Sequence, residues 1–399
     1  MTSRRRVAIV GGSVAGLTVA ESLRRSGFDS GISLIAAESE LPYDRPPLSK
    51  QVLDGRWEPE KVRLRQPGEL DALELDLSLG DKAVRVDDAA RRVHLESGGV
   101  VPYDILVVAT GVVPRRLAAG HELAGVHLLR TLDDAVRLRA DLLHGGPLVV
   151  IGAGPLGTEV AAAGRKMGLE VTLVDPSPFP MLRQVGTAVS KRISALHAER
   201  GVTLELGVSV DRLVGWSGRV SGVRLSDGRT LAAATVLVGI GSDPATDWLN
   251  GSSIPIGNGV MCDEYCRAAE NTYAVGDVAE WLNPRFRARM RIEHRMNATE
   301  QAAVVAKNIM GADEVFDPIP YFWTDQYETK IQGYGLTGAE GAVEIEELDG
   351  TSSRFAVRYT QNGLVQGILG WNAARWVRDL RREVGRSVDD DSERQAVNA

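Results

Sequence analysis

Twice along this chain a short β-branched run ends in glycine and gives way to helical spacing. Val7 to Val10 is the first run, and apolar residues then recur at helical intervals from Leu17 to Arg25, so strand, turn and helix are predicted. Ile32 to Ala37 restores the strand pattern and ends at Glu38, closing a βαβ unit of the length a parallel crossover needs. From Leu148 the same grammar returns: strand to Ile151, glycine turn, helix from Leu156 to Met167, strand Val171 to Val174, acid at Asp175. One supersecondary unit is therefore used twice.

Other stretches read differently. LPYDRPPLSK, 41–50, holds three prolines, which forbid a regular helix and predict an ordered, extended loop. Ile105 to Ala109 reads as another buried strand. After Asp277 come an arginine-rich loop, a helix from Asn297 to Met310 and an aromatic segment from Tyr321 to Tyr327. Alternating strands such as Arg354 to Tyr359 and Leu364 to Leu369, then an arginine-rich helix from Ala373 to Val384, predict a separate α+β module. The polar, acidic residues 387–399 predict a disordered tail.

With 399 residues, 44% hydrophobic and 25% charged, the chain has the makings of two to three globular domains. A net charge of −7 supplies no global positive field for nucleic acid. Two cysteines, Cys262 and Cys266, make no disulfide framework, so a reducing cytoplasm is expected. Arg4 to Arg6 before an apolar run imitate a secretion signal, but glycines 11, 12 and 16 interrupt it, so no targeting segment is expected. The longest other apolar stretch, Leu231 to Ile240, falls well short of a bilayer span.

The chemistry sits at the turns. Gly11, Gly12, Ser13, Val14, Ala15 and Gly16 form a G-x-G-x-x-G frame with serine at the middle glycine. Gly11 permits the tight turn, Gly16 lets the helix approach the strand, and the helix N-terminus offers N–H groups to a pyrophosphate. Glu38, 22 residues after Gly16, stands where a carboxylate accepts from a ribose diol. The second turn, with Gly152, Gly154, Leu156 and Gly157, is complete. Asp175, 18 residues past Gly157, suits a free 2′-hydroxyl and repels a 2′-phosphate, which favours NAD over NADP; Arg183 nearby weakens that preference. Two dinucleotide sites in one chain point to a bound flavin and a diffusing nicotinamide.

Together with VVATGVVPR (107–115), LRTLDDA (129–135), GIG (239–241), YAVGD (273–277), the EH at 293–294, YFWTDQY (321–327) and GWNAAR (370–375), these motifs resemble the FAD-dependent ferredoxin reductases built on the glutathione-reductase plan. The resemblance implies an α/β fold of two Rossmann-like dinucleotide-binding domains plus a C-terminal α+β domain. It divides the chain into 1–117 and 243–320 for FAD, 118–242 for NAD, and 321–386 for the C-terminal domain. It implies that Gly11, Ser13, Ala15, Gly16 and Glu38 hold the ADP half of a tightly but non-covalently bound FAD, with Ala83 at the adenine. Arg45 and Lys50 then lie along the flavin, while Thr110, Gly111, Arg130 and Gly241 border the cofactors. Gly276 and Asp277 would meet the phosphate and ribityl chain, and Glu293, His294 and Trp323 would line the flavin and nicotinamide pocket. Lys50 and Glu159 are the implied catalytic pair near flavin N5.

The chain departs from the family at Arg295, where tryptophan is usual; a guanidinium there stacks on the flavin, pairs with the anionic reduced ring or points to solvent. A disulfide reductase on this plan needs a redox-active cysteine pair in the first FAD segment or the NAD domain. The 41–50 loop has none, and Cys262 and Cys266 read as small, partly buried residues; no metal site is expected. Arg285, Arg287, Arg289 and Arg291 alternate as if on one face of an extended segment, and Arg375, Arg378 and Arg382 follow helical spacing, so either set suits an acidic partner. The implied function is electron transfer from NADH through FAD to a small acidic [2Fe–2S] ferredoxin that serves a monooxygenase or dioxygenase, by a monomer or weak dimer. The alternatives are another acceptor (rubredoxin, quinone or oxygen) and a slow NADH-binding flavoprotein sensor.

Overall fold

The computed structural model describes residues 5–338, 341–348, 350 and 353–387, which fall into two compact units. The first comprises 5–44, 62–113 and 243–318. Its main sheet runs in the order Arg267–Ala269, Thr272–Ala274, Ile105–Val108, Val7–Val10, Ile32–Ala36, Asp76–Leu79. All pairings are parallel except that of the two outermost strands at the Arg267 edge. Val7–Val10 and Ile105–Val108 are buried at every position, as strands covered on both faces must be, which explains their unbroken apolar runs. Helices Val14–Arg25 and Arg295–Ile309 pack on each other beside this sheet.

The second unit comprises 45–61, 114–242 and 319–387. Its parallel sheet has the order Val202–Leu206, Val171–Asp175, Leu148–Ile151, Thr235–Val238, Val126–His127. The C-terminal residues make an antiparallel sheet ordered Tyr321–Gln326, Thr329–Gly335, Leu364–Trp371, Phe355–Gln361, Ala342–Glu347. Helix Leu182–Glu199 presents Val185, Val189 and Ile193, one apolar stripe, to a core with Phe322, Ile331, Phe355, Tyr359, Leu369 and Trp371. Among the described residues no helix is long and apolar enough to cross a membrane.

Three expectations are corrected. The 41–50 loop does not stay extended: after Pro46 and Pro47 the chain winds into a π-helical turn, Leu48–Val52, which the prolines permit because they sit ahead of its first residue. Residues 285–291 are the turn and returning strand of a hairpin rather than one extended segment. Strand Ala279–Asn283 turns through Arg287, whose φ is +50°, into Ala288–Met290, so the four arginines do not share a face. The helix expected from Ala373 to Val384 is Ala374–Leu380 followed by one 3-10 turn, Arg381–Glu383. The tail expected at 387–399 lies outside the described residues from 388 onward, and Ser387 pairs with Leu364.

Candidate functional site

In the first unit four parallel strands end together, and the candidate residues follow their last positions. Gly11 comes after Val10, Glu38 after Ala36, Thr110 after Val108 and Gly276 after Ala274, and the registers Val10↔Ile35, Val10↔Val108 and Ala274↔Val108 bring those ends side by side. This carboxyl edge is where open α/β sheets take nucleotides. Gly11 has φ +126°, and a Cβ there would lie 2.0 Å from the Ala109 carbonyl oxygen; at Gly16 it would lie 2.0 Å from the oxygen of Gly11. The turn therefore excludes any side chain at either position. Ser13 caps the helix with extended backbone but makes no side-chain cap bond, so the first-turn N–H groups keep no capping partner from it.

Around that edge Tyr43 Oη donates to Glu38 Oε2 at 2.5 Å and fixes the carboxylate. Thr110 Oγ1 donates to the Ala245 carbonyl at 2.8 Å, and the Gly111 carbonyl accepts from Ala245 N–H at 2.9 Å. Gly276 donates its N–H to Gln301 Oε1 at 2.8 Å, and Ala15 lies 3.2 Å from where a Gly276 Cβ would stand. Arg291 donates to the Asp277 carbonyl and to Glu293 Oε1, at 3.1 and 2.6 Å. His294 precedes the first residue of helix Arg295–Ile309. Arg295 itself donates to Asp44 Oδ1 at 3.1 Å, so the structure gives the departing residue an ion pair. Ala83 is buried in a separate small antiparallel sheet with Arg92–Leu95.

The second unit repeats the arrangement. Gly152 follows Ile151, Asp175 ends its strand and Gly239 follows Val238, with Ile151 in register with Val174 and Val238. A Cβ at Gly152 would lie 2.2 Å from the Gly239 oxygen, and one at Gly157 1.8 Å from the Gly152 oxygen. Gly154 differs: its φ is −74° and a Cβ there would meet nothing within 4 Å. Neither fold nor backbone demands a glycine at 154, so the open space beside it fits a ligand that must come close to the helix N-terminus. Asp175 Oδ2 accepts from Ala153 N–H and Oδ1 from Ser177 N–H, both at 2.7 Å, so the acid also pins the turn, and each oxygen has capacity for a further bond. Leu156, second in the helix after Pro155, lies beside Gly239; Arg183 is exposed in the first turn of its own helix. Gly241, φ +104°, accepts from Arg115 N–H, and the Arg130 carbonyl accepts from Arg45 at 2.5 Å.

Also in this unit lies a buried ion pair. Lys50 Nζ donates to Glu159 Oε2 at 2.6 Å and to the Pro46 carbonyl at 3.0 Å, with the two side chains 10% and 7% exposed. The π-helical turn and helix Pro155–Lys166 bring together residues 109 apart. Two further donors went unread in the sequence: Ser49 Oγ reaches Glu159 Oε2 at 2.5 Å and Thr324 Oγ1 reaches Oε1 at 2.8 Å. Position beside Lys50 and within YFWTDQY was their only signal. A cleft of about 210 Å³ opens beside the pair. Trp323, on the other face of the Thr324 strand, stacks on Tyr321 with ring centroids 5.9 Å apart. Cys262 and Cys266 are both free and fully buried, and burial pushes the Cys262 thiol up to about 12 and Cys266 well above its usual range. Such thiols are not nucleophiles.

Comparison with known proteins adds the following. Residues 5–302 match the model of the pyridine nucleotide-disulphide oxidoreductases, and 321–398 match a reductase C-terminal domain. The chain is 39% identical to rhodocoxin reductase of Rhodococcus erythropolis, over 86% of this chain and 81% of that one. It is 37% identical to the ferredoxin–NAD(+) reductase component of the p-cumate 2,3-dioxygenase system of Pseudomonas putida, over 98% and 96%. The structure superposes on the reductase of the covalent putidaredoxin reductase–putidaredoxin complex with a TM-score of 0.91 at 32% identity, covering 96% of this chain and 93% of that one.

Proposed function

The chain belongs to the pyridine nucleotide-disulphide oxidoreductase family, and from that membership we propose that it is an NADH-dependent flavoprotein reductase of a [2Fe–2S] ferredoxin serving an oxygenase. Two glycine-turn cradles, one in each unit, carry the reading. In this reading 1–117 and 243–320 hold FAD, 118–242 takes NADH, and 321–386 helps receive the partner. Bound FAD accepts electrons as a hydride pair and yields them singly, which nicotinamide cannot do. Overall, NADH and two oxidised ferredoxins become NAD+, a proton and two reduced ferredoxins.

The chain's residues do the rest. Gly154 and the N–H groups after it take the NADH pyrophosphate, and Asp175 accepts from the ribose. Lys50, paired with Glu159 beside the cleft, stabilises negative charge developing on the electron acceptor. Glu159 holds Lys50 and contacts the nicotinamide carboxamide. On the FAD side, Ser13 admits the pyrophosphate while Gly16 lets the helix close on the turn, Glu38 accepts from the ribose and Asp277 from the ribityl chain. Arg285, Arg289 and Arg291 are engaged with Asp317, the Cys262 carbonyl, and Glu293. We assign the acidic face of a ferredoxin to Arg375, Arg378 and Arg382, all exposed, of which Arg382 also donates to the Asp379 carbonyl. We place the protein in the cytoplasm as a monomer or weak dimer. Stopped-flow bleaching of the yellow holoprotein by NADH, followed by turnover with and without a [2Fe–2S] ferredoxin, tests the reading. Rapid bleaching and ferredoxin-dependent turnover are expected; a colourless protein that flavin does not reconstitute refutes it.

A further inference from the structure

Strand Tyr321–Gln326 alternates, with Phe322, Thr324 and Gln326 buried and Tyr321, Trp323 and Asp325 partly open. That period aims two polar side chains into the interior, where they meet consecutive residues of helix Pro155–Lys166. Thr324 Oγ1 donates to Glu159 Oε1 at 2.8 Å, and Gln326 Nε2 donates to Thr158 Oγ1 at 2.9 Å. Strand and helix are thus clamped at two rungs. Gln326 is itself held, because its Oε1 lies 3.0 Å from His197 Nε2, and Tyr327 Oη lies 3.3 Å from His197 Nδ1. Thr324, Gln326 and His197 are all 0% exposed, so water offers none of them a substitute partner.

We propose that Thr324 is a positioning residue for the reaction: its hydroxyl fixes the Glu159 carboxylate in the orientation that holds Lys50. Oε2 of Glu159 serves Lys50 and Ser49, both on the π-helical turn, whereas Oε1 takes its bond from the C-terminal sheet. The terminal torsion of a glutamate is broad, so bonds on one oxygen alone leave the carboxylate plane loose, and a second bond from the opposite side sets it. The C-terminal sheet then sets the geometry of the ion pair as well as helping to receive a partner. This rests on the reading that NADH reduces FAD here.

The test compares Thr324→Val, which keeps the shape and removes the hydroxyl, with Thr324→Ser, which keeps the hydroxyl. In the holoprotein, flavin bleaching at saturating NADH is expected to slow roughly tenfold in Thr324→Val with NADH affinity little changed, and to recover in Thr324→Ser, the size expected for one hydrogen bond to a buried charge. A second readout needs no turnover. Anhydride labelling of Lys50, measured by mass spectrometry against the exposed Lys191, should rise severalfold in Thr324→Val and not in Thr324→Ser. If Thr324→Val does not fold, Thr324→Ala takes its place. Equal rate and labelling in wild type and Thr324→Val would overturn the inference, as would a serine variant as impaired as the valine one. Wild type that NADH does not bleach refutes the function instead, and the labelling alone then decides the clamp.

Discussion

Replacing Gly154 with valine separates a glycine kept for a ligand from glycines kept for the fold. At φ −74° and ψ −173° the backbone is open to any L-residue, and a Cβ would meet nothing within 4 Å. The folding cost is then that of a poorer N-cap, about 1 kcal/mol, a few degrees in Tm. The cost to NADH is larger. A branched side chain in the pyrophosphate's approach forfeits at least one charge-assisted hydrogen bond, about 1.5–3 kcal/mol, or roughly 10- to 150-fold in Kd. Gly157→Ala should behave in the opposite way. Its Cβ would lie 1.8 Å from the Gly152 oxygen, so the turn must open and stability falls along with binding. The assay is flavin reduction against NADH concentration, beside FAD content and Tm. Gly154→Val protein that keeps its FAD and binds NADH as tightly as wild type would refute the assignment of the second cradle.

Other expectations follow from buried and exposed charge. Burial pushes His197 from 6.5 down to about 4, so the unfolded chain binds its proton first. Its contribution is complete above pH 6.5 and is lost as pH falls from there towards 4; Tm measured over that window should fall less steeply in His197→Gln. Cys262→Ala and Cys266→Ala should keep NADH-dependent flavin reduction within about twofold, and native protein should resist thiol reagents until it unfolds, because both thiols are buried and hard to ionise. Reversing Arg375, Arg378 and Arg382 to glutamate should raise the ferredoxin KM roughly tenfold at low salt and flatten its salt dependence, while bleaching by NADH stays at the wild-type rate. Unchanged ferredoxin kinetics would remove that docking surface.

Local chemistry was enough to read the two cradles. The conformations they need are forced within a few residues, by glycines at 11, 16, 152 and 157 that leave room for a backbone oxygen, and by strands whose burial on both faces demands unbroken apolar runs. Helix Leu182–Glu199 is not among the elements read from the sequence: Gly186, at φ 69° and ψ 172°, breaks its backbone regularity, and its apolar stripe gains meaning only against the C-terminal sheet. Tertiary structure alone decided what each charge does. Of the alternating arginines at 285–291, Arg285, Arg289 and Arg291 became occupied locally around a hairpin, Arg295 found Asp44, and Asp175 took up the turn's own N–H groups. Thr324 met Glu159 across 165 residues of chain. A hydrogen bond or ion pair depends on separations of about 3 Å between atoms that the chain brings together from afar, and no pattern of neighbours in sequence encodes that distance.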